Sequence, residues 1–556
     1  MFSEIILDAP LTCCSLKQSA LVHFPSSPLA KALILLIEVE AHNLLQSFLR
    51  SRSVSVGKSP GVVSWPHYLT MARLVARALR LGRSALIQTG VSPVSHHHSY
   101  RFSYLIPVLI WPEPALIVAP QWLLTELQQE EIPQLFESQA LDVNLAQPII
   151  RGDRWPEESN FHGILLTTPE EWLSDRLGRF RRFPPNIPTI IDGVDDLETW
   201  TREQLTTCIQ PQDWTQLRQQ APQHTDIIRE AKINLTQAIF QRPANPYHCH
   251  LLDQAEQAIL EQLYEDLVKI VSPAVPDAWT QFWHQWQASE QLRWVKVNRE
   301  QGTFSLYCSP AEVSSSLSQI WLLQPVVLIG GALDLQKAAP TYRQLVGLGE
   351  ITGVKFSPDR NSQLIQLYLP SRLPLPNTPK FQAALIEEIR GLLCMSTTLE
   401  GLTVLLIEDT PLKTQIGAVF AAEFGSRVQV ETTKVDGRGI LVTGWEFWRQ
   451  HQGKLPPPHL LAIATLPLPS LEHPLVAGRV SYYKQNHLDW FRLYLLPTAL
   501  NELQRAVAPV RDCQGIVALF DSRVLHRSYG EQVLAALSPL ARIDYLDTTW
   551  FNSRSF

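Results

Sequence analysis

The stretch ALIQTGVSPVSHHHSYRFSYLIPVLIWPEPALIVAP, residues 85–120, decides how the chain is read. An apolar run ends in Thr89 and Gly90; after a polar gap come an apolar helical segment and a second apolar run. Strand, loop, helix, strand is the order that puts a phosphate-binding loop at the end of the first strand. Such a loop reads G-x-x-x-x-G-K-[ST], because backbone N–H groups and a lysine cradle the phosphates while the hydroxyl holds Mg²⁺. Here the lysine is missing, and His96, His97 and His98 stand where the loop closes. No lysine occurs between Lys58 and Lys232, so no shift of alignment restores one. The VGKSP at 56–60 lacks the earlier glycine, follows no strand, and ends in a proline that opposes helix continuation.

Working outward, SALIQ (84–88), ALIVAP (115–120), GILLTTP (163–169), TIIDGV (189–194) and PVVLIGGAL (325–333) are strand-like runs. Helical patterns separate them, as in a parallel sheet covered by helices. Residues 30–50 have helical periodicity, with Leu33, Leu36, Val39 and Leu44 near one face. A second helix, YLTMARLVARALRLG (68–82), ends at Gly82 as its C-cap. From 199 to 300 the composition shifts to Gln, Trp and Glu, with helical spacing in LLDQAEQAILEQLYEDLVKIV (251–271). An all-helical insertion is expected there. After a proline-rich linker at 370–379, a second α/β block has strands at LTVLLIED (402–409), RVQVET (427–432), GILVTG (439–444), LLAIATLP (460–467) and GIVALFD (515–521). The predicted organisation is an N-terminal helical segment (1–60), a first lobe (61–198 and 301–369), the insertion (199–300) and a second lobe (380–556).

Composition narrows the function classes. A chain of 556 residues with 45% hydrophobic and 18% charged content is globular rather than disordered. A net charge of −6 provides no global basic field, so any nucleic-acid contact uses local patches. Seven cysteines, only Cys13 and Cys14 adjacent, make no disulfide framework, and a reducing, cytoplasmic location is expected. The run LAKALILLIEVEAHNLL (29–45) is too short and too charged to span a bilayer.

The order of the motifs carries a resemblance. WPHYLTMARLVARALRLGRSALIQTG (65–90), IIDGVDDL (190–197), VLIGGAL (327–333), GILVTGWEFW (439–448), IATLPLPSLEHPLVAGR (463–479), YLLPTALNELQRAVAPVR (494–511) and GIVALFDSRVLHRSYGEQVLAALSP (515–539) follow one another here. They resemble, in the same order, the motifs of the DinG/XPD branch of superfamily-two ATP-dependent DNA helicases. The resemblance implies two RecA-like parallel-sheet lobes holding ATP and Mg²⁺ between them, the insertion in the first lobe, and single-stranded or forked DNA as partner.

Carried over position by position, Thr89 and Gly90 open the nucleotide-binding loop, Tyr100 replaces its lysine, and Arg101 replaces its Mg²⁺-binding hydroxyl. Asp192 matches the metal-holding acid, but Gly193 stands where the family has its water-orienting glutamate. Asp195 and Asp196 are near, yet side chains a step along a strand end point elsewhere. The closing pattern Q-x-x-G-R-x-x-R reads Gln504, Val507, Ala508, Arg511, keeping only the second arginine. An arginine finger alone is worth ~10³–10⁵ in rate. With the lysine and the glutamate also gone, ATP hydrolysis is expected to be impaired or lost, although Arg101 offers a substitute phosphate cation. Many relatives place four cysteines before the acidic motif; here none lies between Cys14 and Cys208, and no iron–sulfur cluster is expected.

RLGRFRRF (176–183) interleaves Arg176, Arg179, Arg181 and Arg182 with Phe180 and Phe183, the cation and aromatic mixture that single strands need. Trp445, Phe447 and Trp448 are expected in the core. Neither the histidine run nor YHCH (247–250) has the second ligand pair of a zinc site. TVLLIEDTPLKT (403–414) opens like a phospho-receiver domain, but LLAIATLPLP (460–469) ends without the required aspartate. Three functional readings follow: a helicase-derived nucleic-acid-binding protein with failing ATP chemistry, a working helicase with an unorthodox phosphate site, and a scaffold that binds a protein partner.

Overall fold

A computed structural model describes residues 28–55, 65–91, 100–138, 148–156, 161–178, 180–268, 276–358, 363–396 and 401–545. The chain first lays down β1 (Ala85–Gln88), β2 (Ala115–Val118), β3 (Ile149–Arg151), β4 (Ile164–Thr167) and β5 (Thr189–Asp192). Next come β6 (Thr207–Ile209), β7 (Cys249–Leu251), β8 (Gln291–Asn298) and β9 (Thr303–Pro310), then β10 (Val326–Gly330) and β11 (Thr352–Lys355). The remainder holds β12 (Ile365–Tyr368), β13 (Leu402–Leu406), β14 (Val428–Val430), β15 (Ile440–Thr443), β16 (Pro458–Ile463), β17 (Ile516–Leu519) and β18 (Leu540–Ile543).

Two seven-stranded sheets result, ordered β11-β1-β10-β5-β2-β4-β3 and β14-β15-β13-β16-β17-β12-β18. Every pairing described within them is parallel. Helices cover both faces, so the central strands are buried on each side and alternate residues feed opposite cores. Ile87 and Ile117 face the cluster under the first helices, whereas Leu86 and Leu116 face the cluster with Trp172 and Leu317. The two predicted α/β lobes are thus present.

Three expectations change. The insertion is not all-helical: β6-β9-β8-β7 form an antiparallel sheet beside the helices Thr225–Gln241, Gln254–Val268 and Asp277–Gln287. Its long hairpin buries Val295, Val297, Phe304 and Leu306 at every second position, and the expected boundary at 300 cut that alternation in two. The lobe boundary also comes earlier, because β12 pairs with β17 and β18 of the second sheet. In the helix Pro28–Ser55 the buried stripe is Ile37, Ala41, Leu45 and Phe48; Leu36 and Val39 are 59% and 58% exposed, and the Leu33 side chain lies outside those described. The next helix, Tyr68–Leu81, ends as expected, with Gly82 left-handed at φ 57° and the Arg83 N–H closing back on the Ala78 carbonyl. Among the described residues no helix is long and apolar enough to cross a membrane.

Candidate nucleotide cleft and nucleic-acid surface

β1, β10 and β5 are neighbours, so Thr89, Gly330 and Asp192 meet at one sheet edge. The Thr89 and Gly90 N–H groups bond the carbonyls of Gly330 and Gly331, each at 2.9 Å. The start of the loop is therefore zipped to β10 instead of presenting those donors to a ligand. His96, His97 and His98 lie outside the described residues.

The helix Phe102–Leu109 begins beyond the gap, and Tyr100 just before it reaches into the site. Tyr100 donates its hydroxyl to Asp192 Oδ1 at 2.7 Å, and Tyr104 donates to Oδ2 at 2.9 Å. Asp192 is fully buried. Burial raises its carboxyl to about 6, with Arg101 and the two tyrosine hydroxyls pulling the other way. Arg101, 1% exposed, turns into the lobe and pairs with Glu131 at 2.5 Å and Glu126 at 3.2 Å. Its guanidinium is thereby committed to two carboxylates.

Asp192 sets a dependence on pH. An unfolded aspartate loses its proton near pH ~4, whereas the folded one keeps it to about 6. Between those values the native state binds the extra proton, so this contribution is complete below the lower value. It is lost as pH rises through the higher one, by about 3 kcal/mol. Urea unfolding of the wild type across that window is expected to show the fall, and Asp192→Asn to flatten it.

Gly193, which the resemblance matched to the family's glutamate, has φ 85°, a left-handed geometry costing a side chain about 1–2 kcal/mol. The neighbouring carboxylates are engaged elsewhere: Asp195 accepts the N–H groups of Gly331 (2.8 Å) and Ala332 (3.0 Å). Asp196 meets Arg505 of the second lobe at 2.9 Å.

Arg505 lies on the helix Leu496–Asp512, which also carries the two residues transferred from the closing motif. Gln504 donates to the Ala536 carbonyl at 3.1 Å. Arg511, 7% exposed, donates to the carbonyls of Gln363, Pro539 and Leu537. Burial lowers its pKa to about 10. Arg511 thus ties the ends of neighbouring strands together within its lobe. Motif spacing picks out 504, 507, 508 and 511 and passes over Arg505; helical spacing puts Asn501, Arg505, Ala508 and Asp512 on the cleft side as well. Between the lobes lies a cavity of about 500 Å³ bordered by Gly90, Asp195, Lys337, Lys355, Arg505 and Arg511.

A second ionic group also bridges the lobes. Glu198 accepts from Arg202 of its own helix and from Arg479 at 3.1 Å, and the Arg479 guanidinium lies 3.9 Å from the Tyr494 ring centre. The insertion adds further cross-contacts, Tyr482 to Glu290 at 3.0 Å and the Tyr247 ring against His473 at 4.5 Å.

The basic stretch of the first lobe divides. Arg176 donates to the carbonyls of Phe183 and Pro184, and Arg182 pairs with Glu171 at 2.8 Å, so both arginines hold the loop. Phe183 is buried. Phe180 is 65% exposed, with the Arg182 guanidinium 5.6 Å from its ring. Arg181 is exposed in a left-handed conformation at φ 59°. Arg179 lies outside the described residues. Trp445 and Trp448 are buried in the second lobe, as the sequence implied, and Phe447 packs against that core.

The chain has the two-lobed fold of XPD-type helicases. An XPD helicase structure superimposes with a TM-score of 0.55 at 11% identity, covering 86% of this chain and 99% of that one. S. tokodaii Xpd4 gives 0.53 at 13% identity, with coverage of 86% and 99%. An apo XPD structure gives 0.52 at 12% identity, with coverage of 85% and 100%. No protein-family model matches the sequence, and a comparison with curated proteins finds no match.

Proposed function

We propose that this chain is a nucleic-acid-binding protein built on a helicase fold, its ATP hydrolysis impaired or lost. The supporting observation is the Tyr100–Asp192–Tyr104 arrangement, which occupies the metal-holding carboxylate with two hydroxyl donors. Arg101, the cation that could have stood in for the lysine, is taken by Glu131 and Glu126. Without turnover, strand binding rests on groups already in place. In the first lobe these are Phe180 and Arg181, an exposed ring and an exposed cation on one loop.

The test is the affinity of a labelled single-stranded oligonucleotide with and without ATP and Mg²⁺. Equal affinity is expected, and a many-fold change on adding ATP would refute the proposal. Changing Phe180 and Arg181 to Ala together is expected to weaken binding about tenfold, the worth of one stacked base plus one phosphate contact. Unchanged affinity in that variant removes this loop from the interface. The cavity between the lobes supports a second reading, nucleotide bound without turnover, which a fluorescent ATP analogue tests directly.

A further inference from the structure

Domains of one chain move against each other by default unless a close interface holds them. One helix of the second lobe supplies such an interface. Pro474–Gln485 is rooted in its own lobe by a small cluster, Val480 and Tyr483 with Tyr494 and Leu495. Gly478 with Tyr482, and Arg479 with Tyr483, are two i, i+4 pairs that lie side by side along it and reach other parts of the chain. A β-carbon at Gly478 would lie 3.1 Å from a Leu292 methyl and 3.3 Å from both Leu251 methyls, closer than the about 3.5–4.0 Å at which carbon atoms pack. Leu251 and Leu292 belong to β7 and β8, so the missing side chain lets the helix backbone lie on the sheet of the insertion. Glycine in mid-helix is otherwise unfavourable, and this close approach is what it provides.

The neighbours of Gly478 close the contact on either side. Arg479, buried, takes Glu198 at 3.1 Å; Glu198 sits on the helix Leu197–Leu205, whose Leu197 is part of the first lobe's core. Tyr482 donates to Glu290 of the insertion at 3.0 Å, and the Tyr483 hydroxyl bonds the Glu312 carboxylate where the chain returns to the first lobe. At the other end of the helix, Tyr247 of the insertion donates to Ser470 at 3.3 Å and lays its ring against His473. Both lobes and the insertion therefore meet on one helix. Contacts on a single rigid element cooperate: while one holds, the others re-form at high effective concentration. Freeing Arg479 also strands a buried charge, which opposes partial opening.

We propose that Pro474–Gln485 is a clasp that holds the two lobes and the insertion closed through the chain's own side chains, with Gly478 as its seat and Arg479 as its lock. Nucleotide is then not needed to bring the lobes together, and adding it leaves their spacing unchanged. The inference does not depend on nucleic-acid binding.

Hydrogen exchange and small-angle X-ray scattering on the full chain test it, with Gly478→Leu as the variant. Leucine is a far better helix former than glycine, so a purely local effect would slow exchange in this helix. The clasp predicts the reverse: about tenfold faster exchange in residues 474–485 and in the edge strand β7, with β2 and β13 unchanged and a larger scattering radius. Slower or unchanged exchange with an unchanged radius overturns the proposal. Should that variant fail to fold by circular dichroism, Tyr482→Phe combined with Tyr247→Ala removes only contacts near the surface. Faster exchange in β7 and the helix is then expected, and wild-type rates would refute the clasp. Wild-type protein given ATP and Mg²⁺ is expected to keep its radius. A contraction on adding nucleotide would mean that the lobes had stood open, and would overturn the clasp as well.

Discussion

Purified protein supplied with ATP, Mg²⁺ and single-stranded DNA is expected to release no phosphate above background, and Tyr100→Lys is not expected to revive it. Helicases of this fold rely on a lysine, a metal-holding acid, a water-orienting glutamate and arginines from the facing lobe. Restoring the lysine alone places an ammonium where Tyr100 is 1% exposed and next to Asp192, so the new charge pairs with that carboxylate. The glutamate would still be missing, and the Gly193 backbone at φ 85° does not favour putting one back. Arg511 remains tied to carbonyls of its own lobe. An arginine finger alone is worth ~10³–10⁵ in rate, so the combined deficit leaves nothing measurable in a phosphate-release assay. Brisk turnover abolished by Asp192→Ala would show that the cleft works by another arrangement.

Arg101→Ala is expected to lower stability by about 3–5 kcal/mol, because it leaves buried carboxylates without their cation. Glu131 has only 5% of its side chain exposed and Glu126 only 15%. A chemical denaturation midpoint well below that of the wild type is the readout, with lobe helicity followed by circular dichroism. A phosphate-binding Arg101 would behave in the opposite way: the variant would keep its midpoint and lose affinity for an ATP analogue.

Much of the fold was legible because buried parallel strands are dense apolar runs. SALIQ, ALIVAP, GILLTTP, TIIDGV and PVVLIGGAL each became a strand of the first sheet. Short edge strands left weaker traces: β3 has three residues and β11 holds Gly353, whereas the equally short β14 was read in RVQVET. The hairpin β8–β9 is masked in the sequence by tryptophans and glutamines around it that suggest helix, and its period-two signal begins at 291, inside the expected helical segment. In the site, the resemblance pointed to Tyr100, Gly193 and Ala508 at positions where the family has catalytic side chains. It did not point to the hydrogen bonds made there. The hydroxyl of Tyr104 reaches Asp192 from one helical turn beyond Tyr100, and Arg101 points away from both, which depends on how that helix is rotated. Arg505 and Arg479 are partners of residues some 300 positions away, and no local pattern announces them.

Those two arginines fasten the lobes at Asp196 and Glu198, and a motor must let that joint swing in every cycle. Parting the lobes breaks both pairs at once, a cost that falls as added salt screens the partly exposed Asp196 pair.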